Sequence, residues 1–183
     1  MESIGNLDLV PAGRRVGGAG ATWLMAPFVH VSADRPSRFS QGRFGVLYAG
    51  REFETALVET VHHHARFMAR TKEPPGWTSQ FREIVLDIDG HFHDLRGERP
   101  GFAAALAPDD YSEAQALGEL LRDGTSEGLV YPSVRNPGGE CAGLFYPDLA
   151  SNPRQGRHLD YHWDGTRVDL FREPESGSVF RVG

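Results

Sequence analysis

The 183-residue sequence predicts a single α+β domain, spanning residues 1–183, with a mostly antiparallel twisted sheet and a few helices. Three observations predict this class. The length suits one domain with a continuous core, since 39% of the residues are hydrophobic. Two segments show the spacing of amphipathic helices. Several short runs of β-branched and aromatic residues end at glycines or turn sequences, which is typical of antiparallel strands.

The N-terminal part of the chain is predicted to lack helices. Residues 1–22 include the glycine-rich run GGAGA, whose spacing fits neither a dinucleotide-binding fingerprint nor a P-loop, and we expect a flexible loop. The next segment, Trp23–Val31, is apolar but is interrupted by Pro27. Because proline removes a backbone donor and clashes with the preceding turn of a helix, this segment is predicted to be buried and extended.

A strand, a tight turn and a helix are predicted in succession further along. The strand is the β-branched and aromatic run Phe44–Ala49, which ends at Gly50. Helical spacing begins near Glu52 and continues to about Arg70, because the two prolines of KEPPGW at residues 72–77 reject helical geometry. The apolar stripe of this helix consists of Phe53, Leu57, Val61 and Met68.

The remaining sequence predicts further strands and a second helix. Residues Gln80–Asp89 alternate as a strand does and stop at Gly90. The segment Ser112–Asp123 has helical spacing, a first residue suited to the N-cap, and Gly124 as a C-terminal stop. Two short strands, GLVYPSVR and CAGLFYP, are joined by NPGGE, and HLDYHW and RVDLF predict a hairpin around Asp164–Gly165.

Composition narrows the classes of function. A formal net charge of −6 at pH 7 argues against direct nucleic-acid binding, which depends on clustered basic side chains. Cys141 is the single cysteine, so no intrachain disulfide is possible and a reducing compartment is expected. The N-terminus does not resemble a signal peptide and no run of apolar residues is long enough for a membrane span. We therefore expect a cytoplasmic protein without a membrane segment.

The histidines and the cysteine do not favour a metal site or a nucleophile. The side chains of His62–His64 diverge around a helix and cannot bind one ion. His158, Asp160 and His162 share one face of a predicted strand, for which a solvated face is the favoured interpretation. Cys141 lies in an apolar run and is interpreted as a small buried hydrophobe. No metal is expected.

Polar side chains lie at fixed separations along the predicted strand, turn and helix. Glu59 falls almost opposite the apolar stripe, so periodicity alone favours a solvated surface glutamate. Taken alone, Arg38 is an ordinary loop arginine and Tyr48 an ordinary strand aromatic. Ser133 and Arg135 lie in a polar loop between two apolar strands, where spacing slightly favours an ordinary turn over a ligand-binding loop.

Two stretches decide between these interpretations by resemblance. RFSQGRFGVLYAGREFETALVETV at residues 38–61 and GLVYPSVRNPGGECAGLFYP at residues 128–147 resemble, in the right order, the RES domain family, named for its arginine, glutamate and serine. With weaker segments, the resemblance covers most of the chain. It implies a fold similar to that of ADP-ribosyltransferases.

The resemblance also implies a function. Members of this family are toxins that cleave NAD at the nicotinamide–ribose bond, by hydrolysis or phosphorolysis, and so arrest growth. Their expected partner is a helix-turn-helix antitoxin of the Xre type, and a homodimer is left open. NAD is then the substrate, and no metal is implied. The alternatives are an ADP-ribosyltransferase that modifies a protein target and a non-catalytic nucleotide-binding module.

The residues of the site are implied by the same resemblance. A carboxylate can stabilise an oxocarbenium-like transition state, guanidinium groups bind pyrophosphate in forked geometry, and an aromatic face can hold the nicotinamide. Two arginines compete for the motif position, since both surround the SQG sequence, and the N-terminal arginine is a weaker match. The implied catalytic residues are Glu59, Arg38 and Tyr48, and the implied substrate-binding residues are Arg15, Arg43, Ser133 and Arg135.

Overall fold

The computed structural model describes residues 5–182, which form four α-helices and eight strands in two sheets. Three short 3-10 turns precede α1 or connect strands. The helices are α1 (Ala21–Val29), α2 (Phe53–Met68), α3 (Phe102–Ala105) and α4 (Ser112–Asp123). The strands are β1 (Leu47–Gly50), β2 (Thr78–Ile88), β3 (His93–Asp94), β4 (Gly128–Pro132), β5 (Glu140–Leu144), β6 (Ala150–Trp163), β7 (Val168–Glu173) and β8 (Ser178–Arg181).

The strands pair in two four-stranded sheets. The first sheet has the order β1-β5-β4-β3 and the second the order β2-β6-β7-β8. All neighbouring strands are antiparallel except β3 and β4, which are parallel. The predicted α+β class with mostly antiparallel pairing is confirmed. The sequence indicated one sheet, however, because the alternation within a strand reports its buried face and not the strand with which it pairs.

Each sheet has its own apolar core, and α2 contacts both sheets. In the first core, Phe39, Leu129 and Leu144 are fully buried among strands β1, β4 and β5. In the second core, Val61 and Met68 of α2 pack with aromatic residues of β6 and β7. The apolar stripe predicted for α2 is therefore confirmed, and it faces the second sheet. This leaves the opposite, polar face of α2 close to the first sheet.

The segment predicted to be extended is instead mostly helical. Helix α1 accommodates Pro27 in its last turns, and Gly20 in the left-handed conformation precedes it. Pro27 costs about 3 kcal/mol in a helix interior. Leu24, Met25 and Phe28 are buried in the first core, and each such side chain contributes about 1.5–3 kcal/mol on burial. Burial of this helix face thus outweighs the proline, which the sequence rule alone does not reveal.

The other predicted elements are found at their expected places, but β6 begins at Ala150, eight residues before the predicted HLDYHW, and β1 begins three residues after Phe44. Helix α4 has the predicted bounds, but Tyr111 takes the N-cap position and Asp110 accepts the backbone N–H of Ser112 through its carboxylate. Three elements were not predicted. These are α3, β3 and β8, which have two to four residues each and carry too little pattern to be recognised.

Helix α4 packs very closely on the loop that carries Arg38. A Cβ atom added at Gly118 would lie 2.0 Å from the carbonyl oxygen of Phe39. Nearby on the same helix, Gln115 donates a hydrogen bond from Nε2 to the carbonyl oxygen of Ser37 at 3.0 Å. The position of the Arg38 loop is therefore set by backbone contact with α4.

None of the helices between residues 5 and 182 is long and apolar enough to cross a bilayer.

Candidate active site

Glu59 lies where α2 meets the loop between β4 and β5. The hydroxyl of Ser133, at the start of this loop, donates a hydrogen bond to Glu59 Oε1 at 2.7 Å. Ser133 is buried, and the Glu59 side chain is only 20% exposed. The polar face of α2 is therefore partly covered by a loop that comes from a distant part of the sequence. Helical periodicity indicates a solvated position here because it cannot show that loop.

The hydrogen bonds of Ser133 fix the direction of its hydroxyl proton. Ser133 Oγ accepts the backbone N–H groups of Arg135, at 3.2 Å, and Asn136, at 2.9 Å. A hydroxyl has one proton and two acceptor lone pairs. Since both lone pairs are used by backbone amides, the single proton points to Glu59. The serine thus acts as a donor to the glutamate carboxylate.

Tyr48 is held by its hydroxyl at the edge of the first sheet. The hydroxyl accepts the backbone N–H of Phe39 at 2.9 Å and is hydrogen-bonded to Ser37 Oγ at 2.8 Å. Tyr48 is 38% exposed. Because its hydroxyl is enclosed by these hydrogen bonds, the exposed part is the aromatic ring. Burial of the hydroxyl raises the pKa of Tyr48 to about 12, and the phenol is protonated at neutral pH. Tyr48 therefore offers an aromatic surface and no negative charge.

Arg38 is a buried arginine next to this tyrosine. Its Nη1 donates a hydrogen bond to the carbonyl oxygen of Ala107 at 2.8 Å. Its guanidinium lies over the ring of Tyr111, 4.4 Å from the centroid, and Arg66 approaches the same ring at 5.8 Å. Burying a guanidinium without a carboxylate partner is costly. Among residues 5–182, a carbonyl oxygen and an aromatic ring hold this guanidinium and no carboxylate pairs with it, so it is suited to binding an anion.

Arg135, in the β4–β5 loop, contacts the same connection between α3 and α4. Its Nη2 donates to the carboxylate of Asp109 at 2.9 Å and to the carbonyl oxygen of Pro108. This guanidinium holds the pKa of Asp109 below its usual range. Both arginines therefore donate to residues 107–109, which lie between α3 and α4. Residues 107–109 therefore accept some of the guanidinium N–H groups that a bound anion would otherwise accept.

Tyr131 and Cys141 lie side by side on β4 and β5, beneath these polar groups. Both are buried, and they face each other in the strand register. Cys141 Sγ is 4.0 Å from Glu59 Oε1, and burial together with the charge of Glu59 raises the pKa of the thiol to about 12. Burial also raises the pKa of Tyr131. Tyr48 and Glu59 raise this pKa further, and Arg38 lowers it. The three residues implied to be catalytic thus all lie around Tyr131.

His63 was not predicted to belong to the site. It lies one helical turn after Glu59, with Nε2 3.9 Å from Glu59 Oε2, and its side chain is about half exposed. Burial lowers the pKa of His63, Glu59 opposes this shift, and the nearby arginines lower it further. His63 is therefore neutral at pH 7. Its position four residues after Glu59 was the available signal, since such pairs share a helix face.

Comparison with known sequences identifies the family of the chain. A sequence model of the RES domain matches residues 13–164. The chain belongs to the RES domain family. A curated relative, the uncharacterized protein y4oC of Sinorhizobium fredii (strain NBRC 101917 / NGR234), is 29% identical over 150 residues, which make up 81% of this chain. The chain spans 60% of the length of that relative.

One of the two candidate motif arginines, Arg43, lies away from Glu59. Arg43 lies on the surface, 66% exposed, and pairs with Glu119 and Asp123 of α4. The chain turns between Arg38 and Arg43 because Gly42 adopts the left-handed conformation, with φ of 91°. Of the two candidates, Arg38 is therefore the arginine next to Tyr48. Sequence spacing could not separate them.

Arg15 also lies away from the cluster. It donates a hydrogen bond from Nε to the carbonyl oxygen of Val10 at 2.9 Å and approaches the carboxylate of Asp8 at 3.7 Å. These contacts lie within the N-terminal segment of the chain. We therefore place neither Arg15 nor Arg43 in the site.

The described part of the chain, residues 5–182, contains no group of three or more histidine, cysteine, aspartate or glutamate residues placed to hold a metal ion. The strand face that carries His158, Asp160 and His162 was interpreted as solvated, and this is wrong for Asp160. Asp160 is buried and accepts a hydrogen bond from Arg172 at 2.8 Å, while His162 is bonded to Asp169. The pairing of β6 with β7 supplies both partners.

Proposed function

We propose that this RES domain protein is a toxin that cleaves NAD at the bond between nicotinamide and ribose. The observation that carries the proposal is the carboxylate of Glu59, which accepts a hydrogen bond from Ser133 at 2.7 Å and lies 3.9 Å from His63, a residue close enough to Arg38 and Arg135 for both to lower its pKa. A carboxylate stabilises positive charge on the ribose, and arginines bind the pyrophosphate. These are the two recognition tasks that NAD cleavage requires.

The chemistry of NAD explains why one carboxylate is sufficient. When the bond from ribose C1′ to the nicotinamide nitrogen breaks, both electrons leave with a ring that was positively charged, so nicotinamide departs neutral. No acid is needed to protonate the leaving group, unlike in most glycoside hydrolases, which use two carboxyl groups. The ribose is left with oxocarbenium character, which Glu59 stabilises by its charge. Water or phosphate then attacks C1′ and loses a proton.

The other groups of the site have complementary tasks in this proposal. The exposed ring of Tyr48 provides an apolar surface for the nicotinamide, and its hydroxyl stays protonated. Arg38 and Arg135 bind the two phosphates, and Ser133 orients the carboxylate. The proposal places the protein in the cytoplasm, where NAD is available. It also assigns a helix-turn-helix antitoxin as the partner, and the net charge of −6 is consistent with DNA contacts being made by that partner.

The proposal is tested by incubating the purified protein with NAD and measuring free nicotinamide by chromatography. Reactions with and without inorganic phosphate distinguish hydrolysis from phosphorolysis. NAD labelled in its ADP-ribose part, added with a cell extract, reveals transfer to a protein as labelled macromolecules. If nicotinamide is released in none of these reactions, the proposed activity is wrong and a non-catalytic nucleotide-binding module becomes the better description.

Replacing Arg38 with lysine is expected to raise KM for NAD by about tenfold to a hundredfold, because lysine keeps the charge but loses the forked geometry. The same change at Arg43 provides the matched control. Arg43 is exposed and pairs with α4, so its replacement should change KM by less than about twofold. Initial rates over a range of NAD concentrations measure both. A larger effect at Arg43 would show that the motif arginine has been misassigned.

Replacing Asp109 with asparagine is expected to lower KM for NAD by about two- to fivefold, the size of a weak surface ion pair. The carboxylate of Asp109 competes with the substrate phosphates for Arg135. Asp110→Asn is the control, because Asp110 accepts the N–H of Ser112 at the start of α4 and asparagine keeps an acceptor oxygen. Equal KM values in the wild type and the Asp109 variant would mean that NAD does not bind the side of Arg135 that contacts Asp109.

A further inference from the structure

A ring of hydrogen bonds ties the β4–β5 loop to α2 at two points. One point is the bond from Ser133 Oγ to Glu59 Oε1 at 2.7 Å. The other lies one helical turn earlier, where Asn136 Nδ2 donates to Thr55 Oγ1 at 2.9 Å. Within the loop, the backbone N–H of Asn136 donates to Ser133 Oγ at 2.9 Å and closes the ring. The helix therefore holds both ends of a short, rigid unit.

The second point of this ring is closely packed. Thr55 is 0% exposed, and a Cβ atom added at Gly139 would lie 2.4 Å from its Oγ1. The same added atom would lie 2.9 Å from Asn136 Nδ2. The loop is also closed across its base, where the N–H of Ser133 donates to the carbonyl oxygen of Gly139 at 2.8 Å. The loop backbone therefore touches the helix at Thr55 and has little freedom to shift.

The ring determines what Ser133 can do for Glu59. Asn136 supplies one of the two amides that occupy the acceptor positions of Ser133 Oγ, and its side chain anchors that amide to the helix. If the anchor is lost, the hydroxyl proton is no longer directed to Glu59. The carboxylate is then free to turn to other donors, such as His63, whose Nε2 is 3.9 Å from Oε2.

We infer that Asn136 and Thr55 are positioning residues that act through Ser133 to hold the carboxylate of Glu59 in its reactive orientation. The inference rests on the proposed NAD cleavage and adds two residues to it. Neither residue touches the reacting atoms. Their replacement should therefore lower kcat and leave KM for NAD within about twofold, because Arg38 lies outside the loop and the guanidinium of Arg135 is held separately by Pro108 and Asp109.

A double-mutant cycle tests whether Asn136 acts through Ser133. Asn136→Ala and Ser133→Ala should each lower kcat by about tenfold, the equivalent of one hydrogen bond. The double variant should have the same kcat as Ser133→Ala within about twofold, since the anchor has nothing left to position. A further tenfold loss in the double variant would overturn the inference, and so would an unchanged kcat in Asn136→Ala.

Substitutions at Thr55 separate positioning from general damage. Thr55→Val keeps the shape but removes the acceptor and should lower kcat about as much as Asn136→Ala. Thr55→Ser keeps the hydroxyl and should restore kcat to within about twofold of the wild type. Thermal unfolding of each variant identifies the folded fraction to which kcat is normalised. Equal kcat values in the valine and serine variants would contradict the inference.

Amide hydrogen exchange provides a measurement that does not depend on catalysis. The amides of Asn136 and Gly139 are bonded within the loop, the latter to the carbonyl oxygen of Asn136 at 2.9 Å. Their exchange should accelerate by about tenfold or more in Thr55→Val and stay unchanged in Thr55→Ser. If the wild type releases no nicotinamide, the proposed function fails while this result still decides the anchoring. Unchanged exchange in the valine variant would overturn the anchoring itself.

Discussion

Replacing Glu59 with glutamine is expected to lower nicotinamide release from NAD by about a thousandfold while the protein stays folded. The change removes the negative charge that stabilises the oxocarbenium-like ribose, but glutamine has almost the same volume. Its amide oxygen can still accept the hydrogen bond from Ser133, so the loop between β4 and β5 stays in place. Time courses of nicotinamide release measure the loss, and thermal unfolding verifies the fold.

Glu54→Gln is the matched control for this experiment. Glu54 is an exposed glutamate in the first turn of the same helix, so its replacement removes one charge from α2 away from the site. Nicotinamide release should change by less than about twofold in this variant, since surface substitutions have small effects. Equal activity of the Glu59 variant and the wild type would remove Glu59 from the mechanism.

Replacing Gly118 with alanine is expected to destabilise the fold by about 2–3 kcal/mol, although alanine usually favours a helix by about 1 kcal/mol over glycine. The added Cβ would lie 2.0 Å from the carbonyl oxygen of Phe39, and a backbone atom cannot rotate away. Either α4 or the Arg38 loop must shift. Because Arg38 precedes Phe39, KM for NAD should rise in the folded fraction as well.

Chemical denaturation gives the free energy of unfolding for this variant, and Gly97→Ala is the control. An added Cβ at Gly97 meets no atom within 4 Å, and its backbone does not require glycine. This control should change the free energy of unfolding by less than about 0.5 kcal/mol. Gly118→Ala with wild-type stability and KM would mean that α4 does not set the position of the Arg38 loop.

The fold could be predicted where local pattern and local packing agree. Helices α2 and α4 were predicted because their spacing directly reflects one buried face. Helix α1 was not predicted because Pro27 disfavours a helix interior, whereas the burial of four of its residues stabilises the helix. The division into two sheets was missed for another reason. The division depends on which strands pair, such as β5 with both β1 and β4. The sequence of one segment does not show its pairing partners.

The site could be predicted in part. Resemblance implied Arg38, Tyr48, Glu59 and Ser133. In the fold, Ser133 is hydrogen-bonded to Glu59 over 74 positions, and Arg38, Tyr48 and Glu59 lie close enough to Tyr131 to influence its pKa. The residues around them were not predicted because they have no motif of their own. Asn136 contacts Thr55 over a separation of 81 positions, and Asp109 reaches Arg135 over 26. Such contacts follow from the packing of a loop on a helix, which periodicity does not describe.

The position of Cys141 has a consequence for the sensitivity of the protein to oxidants. Peroxides and alkylating agents react with the thiolate, and burial and the charge of Glu59 raise the pKa of this thiol to about 12. At neutral pH the group is therefore almost entirely in its unreactive, protonated form. Although this sulfur lies 4.0 Å from Glu59, we therefore expect oxidants to modify it slowly.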